Sequence, residues 1–296
     1  MTSDATIHIA VASGKGGTGK SLLATNLFYS LQQHGMDAML VDCDAEAPNC
    51  MLFFNGVLKR SYHVTQRVPV IDESKCTYCG KCQEYCHYHA IFILPPVRVI
   101  QVIDDLCHGC GACSVACEDN AITEKDTSLG MVTQYAIKDT TTIIESRMHP
   151  GVYSPVSLIK AAIQEAKGRQ HVILDAPPGT SCPFIHTVAR ANFVVLITEP
   201  TPFGLSDLKQ SVAVLQSMNK PCGVVINRAG MGNEEVYKYL TQESLPLLME
   251  IPFSREIAAT NARGALWAKS DSEFKEKLLQ LFQRILFRHG NRHHQR

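Results

Sequence analysis

The sequence has no excess of charge of either sign: 28 lysines and arginines balance 28 aspartates and glutamates, for a formal net charge of +0. That balance excludes the basic surface a general nucleic-acid binder needs. No apolar run is long enough to span a bilayer, and the chain enters a strand-like run at Ile7 with no leader before it, so neither a membrane span nor a signal peptide is expected. Cysteine, by contrast, is abundant, with 12 in 296 residues. A chain of this length with 45% hydrophobic content can bury a core without disulfides, so the thiols point to metal and to a reducing cytoplasm.

Eight of the cysteines form two runs, Cys76-x-x-Cys79-x-x-Cys82-x-x-x-Cys86 and Cys107-x-x-Cys110-x-x-Cys113-x-x-x-Cys117. Two-residue gaps turn the backbone so that three thiolates converge, the donor set of an iron–sulfur cubane that takes its fourth sulfur from elsewhere. Zinc is the alternative, since it also uses C-x-x-C pairs, but a four-ligand zinc site gains nothing from a duplicated four-cysteine run. The runs resemble a bacterial ferredoxin with two 4Fe-4S clusters. That resemblance implies crossed ligation, with Cys76, Cys79, Cys82 and Cys117 on one cluster and Cys107, Cys110, Cys113 and Cys86 on the other. In place of the proline that usually follows each run stand His87 and Glu118, a departure that bears on potential and exposure more than on ligation.

A second motif precedes the runs. Gly14-Lys15-Gly16-Gly17-Thr18-Gly19-Lys20-Ser21 fits G-x-x-x-x-G-K-[ST], follows the apolar strand Ile7 to Ala12 and opens an amphipathic helix from Lys20 to about His34. In that context loop N–H groups cradle phosphates, Lys20 reaches the β and γ oxygens, and Ser21 coordinates magnesium. With Lys15 included, the motif resembles the deviant Walker A loop of the MinD, ParA, Mrp and nitrogenase iron-protein group. The resemblance implies that Lys15 crosses a homodimer interface to the partner's nucleotide, that Asp44 orients the attacking water, and that Asp175 holds magnesium through water. It also makes Asn227, followed by Arg228, the base-contacting position. Gly230 stands where a guanine site would need aspartate, so adenine is expected. Apart from the loop, an aspartate or asparagine after a strand is ordinary turn chemistry.

Strands alternate with helices on both sides of the runs. The expected strands are Ala38 to Val41, Thr142 to Glu145, His171 to Leu174, Phe193 to Thr198 and the Asn227 strand, and the helices are Pro155 to Lys167 and Gly204 to Met218. The pattern implies an α/β fold, a doubly wound parallel sheet of the P-loop NTPase kind, with an inserted small α+β ferredoxin-like unit. The nucleotide domain would take residues 1–56 and 132–296 and the insert residues 57–131. The insert reads as an internal repeat, Val70 to Ile93 and Val99 to Ile122, with few large apolar residues, so its folding is expected to depend on its clusters.

Of the remaining cysteines, Cys43 and Cys222 lie at strand ends and are expected to be small buried hydrophobes. Cys182, seven residues past Asp175, is assigned a packing or redox role near the switch, with a dimer-bridging cluster as the alternative. Cys50 receives no reading. The whole chain resembles MinD-superfamily ATPases with an inserted ferredoxin domain. This implies ATP or ADP with Mg2+, two 4Fe-4S clusters, a nucleotide-dependent homodimer, and an unidentified redox or cluster-accepting protein partner. Electron transfer gated by ATP, metallocluster assembly or carriage, and spatial organisation at a membrane are the three functional classes left open. The helix from about Ser272 to Arg288 is amphipathic and is expected to pack on the core rather than on a membrane.

Overall fold

The computed structural model describes residues 6–137 and 141–293; residues 1–5, 138–140 and 294–296, at the margins of the expected nucleotide-binding segments, lie outside the described residues. β1 (Ile7–Ala12), α1 (Lys20–Gln33) and β2 (Ala38–Asp42) open the chain. β3 (Val57–Ile71), α2 (Lys81–Glu84), β4 (Ile91–Leu94), β5 (Val99–Val102), α3 (Ala112–Ala116) and β6 (Ile122–Ala136) carry the cysteine runs. The alternation resumes with β7 (Thr142–Met148), α4 (Val156–Gln164), β8 (His171–Asp175), α5 (Cys182–Val188), β9 (Phe193–Thr198), α6 (Pro202–Ser217) and β10 (Cys222–Ala229). It closes with α7 (Glu235–Gln242), β11 (Leu247–Pro252), α8 (Arg255–Ala262), α9 (Trp267–Ser270) and α10 (Ser272–His293).

β2, β8 and β9 are buried along their whole length, and β1 nearly so, which is why they read as continuous apolar runs: both faces of the sheet are covered. The nine strands lie in the order β11-β10-β9-β1-β8-β2-β7-β6-β3. From β11 to β7 all pairs are parallel, and β6 and β3 add antiparallel at the β7 edge. One core lies against α1 and α10, with Leu23, Phe28, Leu278 and Phe282 fully buried, and the other against α4, α5 and α6, with Leu158, Phe184 and Leu215.

The expected insert is rooted in this sheet. β3 and β6 pair from Val57↔Ala136 to Ile71↔Ile122, a ribbon of 15-residue strands whose inner end joins β7 and whose outer end carries both cysteine runs. Among the described residues beyond the ribbon, the one buried apolar cluster is Cys82, Ile91 and Cys113, packed by Ile100 and Ile122. So small a core leaves the unit short of hydrophobic stabilisation, as a cluster-dependent module would be.

α10 buries Phe274, Leu278, Leu281, Phe282 and Ile285 at 5% exposure or less, so the face that a membrane-targeting helix would present is in the core. Among the described residues no helix is long and apolar enough to cross a membrane.

Candidate functional site

The loop between β1 and α1 closes because its glycines allow it. Gly19 has φ +104°, and a Cβ there would stand 2.6 Å from Asn227 Nδ2. Instead the Asn227 amide donates to the Thr18 carbonyl at 2.8 Å, and its Oδ1 accepts from the Arg228 N–H at 2.9 Å. The asparagine at the end of β10 therefore supports the loop from behind. Beside it opens a cavity of about 280 Å³ lined by Gly17, Gly19, Asn227, Arg228, Phe253 and Asn261, where a base would sit next to the loop.

Lys20 is buried, and burial holds its ammonium pKa below the ordinary value against the opposing pull of Asp175 and Asp44. Its Nζ donates to the Lys15 carbonyl at 3.4 Å. Ser21 Oγ donates to Asp175 Oδ2 at 2.6 Å, so the two groups expected to hold magnesium already touch. Two buried oxygens here, Thr18 Oγ1 and Asp175 Oδ1, have no hydrogen-bond partner. Buried polar atoms are rarely left unpaired, and a phosphate oxygen or a hydrated cation would satisfy both, so the residues fit a magnesium nucleotide.

Asp44 is half-buried, and burial raises its carboxyl pKa while Lys20 opposes the rise. Lys15 is in an ion pair with Glu199, Nζ to Oε2 at 3.7 Å, and the same carboxylate holds Arg228 at 2.9 Å. Glu199, just past the end of β9, thus ties Lys15 to Arg228 within one chain.

Beneath the loop lies a group the sequence reading missed. β2 and β8 are parallel neighbours with Asp42 opposite Asp175. Asp42 accepts N–H bonds from Asp44, Asn49 and Cys50 at 3.1, 2.9 and 2.9 Å, and the Cys50 thiol donates to Asp175 Oδ2 at 3.2 Å. Burial, and then the charge of Asp175, pushes Asp42 up to about 8; burial pushes Asp175 up to about 6 and the Cys50 thiol well above its ordinary value. Two adjacent strands ending in aspartate were the available signal, but the adjacency is set by sheet order.

The eight run cysteines divide between two small apolar cavities. Cys76, Cys79, Cys82 and Cys117 line one with Ile71, Ile93 and Ile100; Cys86, Cys107, Cys110 and Cys113 line the other with Pro69 and Ile91. Backbone N–H groups reach sulfur in matched pairs, Tyr78 to Cys76 and Gly109 to Cys107 at 3.4 Å, Ala90 to Cys86 and Ala121 to Cys117 at 3.3 Å. Such donors stabilise thiolate charge and tune cluster potentials. Among the described residues no three of these sulfurs lie within 4.8 Å of one another. Thiolates about 2.3 Å from a single tetrahedral zinc would have to lie about 3.8 Å apart, so the donors fit a cluster better than one ion. Glu118, in the usual proline position, pairs with Lys81 at 2.6 Å.

Cys43 is fully buried as expected, whereas Cys222 is only half-buried. Cys182 is exposed at the start of α5, which corrects a packing role. It lines a cleft of about 540 Å³ together with His186, Lys160, Cys107 and Cys110, so one wall is the second cysteine run and the other follows the Asp175 loop. Across it His108 stacks on Tyr88 at 3.7 Å and meets Tyr153 edge-on at 5.8 Å.

The sequence profile of the CobQ/CobB/MinD/ParA nucleotide binding domain matches residues 9–267. An uncharacterised protein of Methanocaldococcus jannaschii is 30% identical over 267 residues, covering 88% of this chain and 91% of its own. The iron-sulfur cluster carrier protein of Aquifex aeolicus is 23% identical over 295 residues, covering 92% of this chain and 65% of its own. Among solved structures, the septum site-determining protein MinD of Pyrococcus horikoshii with Mg-ADP has a TM-score of 0.56 at 20% identity, over 93% of this chain and 94% of that one.

Proposed function

The chain belongs to the CobQ/CobB/MinD/ParA nucleotide-binding domain family, and from that premise we propose that it is an ATP-hydrolysing, dimeric switch that gates electron transfer through two 4Fe-4S clusters. The observation that carries the coupling is the cleft in which Cys107 and Cys110 face α5, the helix that follows the Asp175 loop, with Tyr153 and His108 in contact across it. A shift of that loop on nucleotide exchange has a short physical route to the second cysteine run.

In this reading the N–H groups from Gly14 to Gly19 hold the phosphates and Lys20 neutralises their β and γ oxygens. Ser21 would ligate magnesium through an Oγ lone pair while its O–H still donates to Asp175, and Asp175 would hold the ion through water. Asp44 orients the attacking water. Lys15 must leave Glu199 to reach the partner subunit's nucleotide, so dimer closure competes with an intrachain ion pair. Asn227 and Arg228 border the adenine. Cys76, Cys79, Cys82 and Cys117 would hold one cluster and Cys86, Cys107, Cys110 and Cys113 the other, within an inserted unit of residues 57–131 between 1–56 and 132–296. When bound, the clusters supply one-electron transfer at potentials set by hydrogen bonds to sulfur and by exposure. A reducing cytoplasm and a redox partner protein complete the proposal.

A second reading is cluster carriage, favoured by the relative in Aquifex aeolicus and by the exposure of Cys79 and Cys110, which leaves a thiolate of each group open to an acceptor. Titrating ATP against dithionite-reduced and oxidised protein separates the two. Linkage requires that a nucleotide which changes cluster potential be bound with different affinity in the two redox states. Different curves, with spin-resonance signals that differ between ADP and ATP, support the gated switch. Superimposed curves, with iron and sulfide passing to an apo-ferredoxin, establish carriage instead.

A further inference from the structure

The nucleotide reading leaves Cys50 without a task. The 3-10 turn Cys50–Phe53 brings its thiol over the carboxylates of Asp42 and Asp175, and one ligand atom from each of the three residues lies within 4.8 Å of the other two. All three are at 1% exposure or less. The sulfur stands 3.2 Å from Asp175 Oδ2. That is close to the separation of about 3.5 Å between sulfur and oxygen donors on one tetrahedral cation. Asp175 Oδ1, buried and unpaired, is a donor that a cation would satisfy. Ser21 Oγ, bonded to the same carboxylate, is a fourth donor at hand.

Magnesium takes oxygen ligands, keeps several waters, and gains nothing from sulfur; thiolates select softer ions. We propose that Asp42, Cys50 and Asp175 form a site for a thiophilic divalent cation, ferrous iron or zinc, that displaces magnesium nucleotide. On binding, the Cys50 thiol releases its proton to solvent, and two carboxylates and a thiolate face the dication. Because the cation occupies Asp175, it excludes magnesium nucleotide and so acts as an inhibitor of the ATP site. The competition rests on the nucleotide reading above; the metal site does not.

Cd2+ is the probe, followed by equilibrium dialysis and by sulfur-to-cadmium charge-transfer absorption on the full, anaerobically purified chain. The wild type is compared with Cys50→Ala, Asp42→Asn and Cys43→Ala, so that the uptake of the cysteine runs cancels. Wild type and Cys43→Ala should take up one more Cd2+ per chain than Cys50→Ala and Asp42→Asn, with the affinity of that site lowered tenfold or more in Cys50→Ser. Saturating MgADP should remove that one ion from the wild type and change nothing in Cys50→Ala. Equal uptake by wild type and both ligand variants overturns the site, and Asp42→Asn alone decides if the cysteine variants do not fold. An extra Cd2+ that persists while MgADP binds overturns the displacement. An extra Cd2+ in a chain that binds no MgADP supports the metal site and removes the nucleotide reading.

Discussion

Asp42→Asn should make the protein lose less stability than the wild type as pH rises. Asp42 is 1% exposed, and burial together with the neighbouring Asp175 charge lifts its carboxyl from 3.8 to about 8. Between those values the folded chain keeps a proton that the unfolded chain has released, so stability is greatest on the acid side and falls as pH rises towards the folded value. Integrated from about pH 6 to about pH 8, this single group costs the fold roughly 2 kcal/mol. Asp175, pushed up to about 6, has largely ionised at the upper end of this window, so its charge then bears on Asp42. Asparagine keeps the shape and cannot ionise. Urea midpoints of nucleotide-free wild type and variant at both ends of the window give a double difference in which the pH-dependent contributions of distant groups cancel. The variant should gain about 2 kcal/mol on the wild type across the window. Parallel pH dependences would show that Asp42 is ionised in the fold and refute the account of the buried pair.

Gly19→Ala pushes a Cβ to 2.6 Å from Asn227 Nδ2 at φ +104°, so it should weaken fluorescent-ADP binding tenfold or more and cost about 1–3 kcal/mol of stability; unchanged affinity would mean that Asn227 does not brace the loop. Lys15→Ala should bind ATP yet neither hydrolyse it nor dimerise with it, whereas Glu199→Gln, which releases Lys15 and Arg228, should dimerise at lower protein concentration by light scattering. Cys117→Ala and Cys86→Ala should each cut iron from about eight towards about four per chain, by removing the fourth ligand of different clusters. If Cys117→Ala instead leaves the iron content whole, Cys117 is not a cluster ligand.

Local chemistry was legible in the sequence, and neighbours set by sheet order were not. The glycine loop, Lys20 and Ser21 announce themselves because strand, loop and helix are contiguous, and α1 runs Lys20–Gln33 against the expected Lys20 to His34. α6 begins at Pro202 rather than Gly204, because Thr201 caps it by accepting the Gly204 N–H, a Thr-Pro start the periodicity alone did not show. β3 escaped notice because its first five residues, Val57 to Ser61, are all exposed and show no alternation of apolar and polar side chains, so the start of the strand carries no periodic signal. Asp42, Cys50 and Asp175 meet only because β2 and β8 are neighbours in the sheet, and Glu199 reaches Lys15 only because β9 flanks β1. The contact of Tyr153 with His108 likewise depends on where the ribbon sets the second cysteine run.

The ribbon also bears on how far the sheet depends on the segment it carries. Ile71 and Ile122 are partners in the pairing, so everything between them departs from and returns to one place on the sheet. A two-residue turn joining those positions would leave a plain β-hairpin on the β7 edge, with strand order and both hydrophobic cores untouched. The cysteine-bearing segment therefore hangs from a hairpin tip, so its loss at that point would leave the rest of the sheet its strand order.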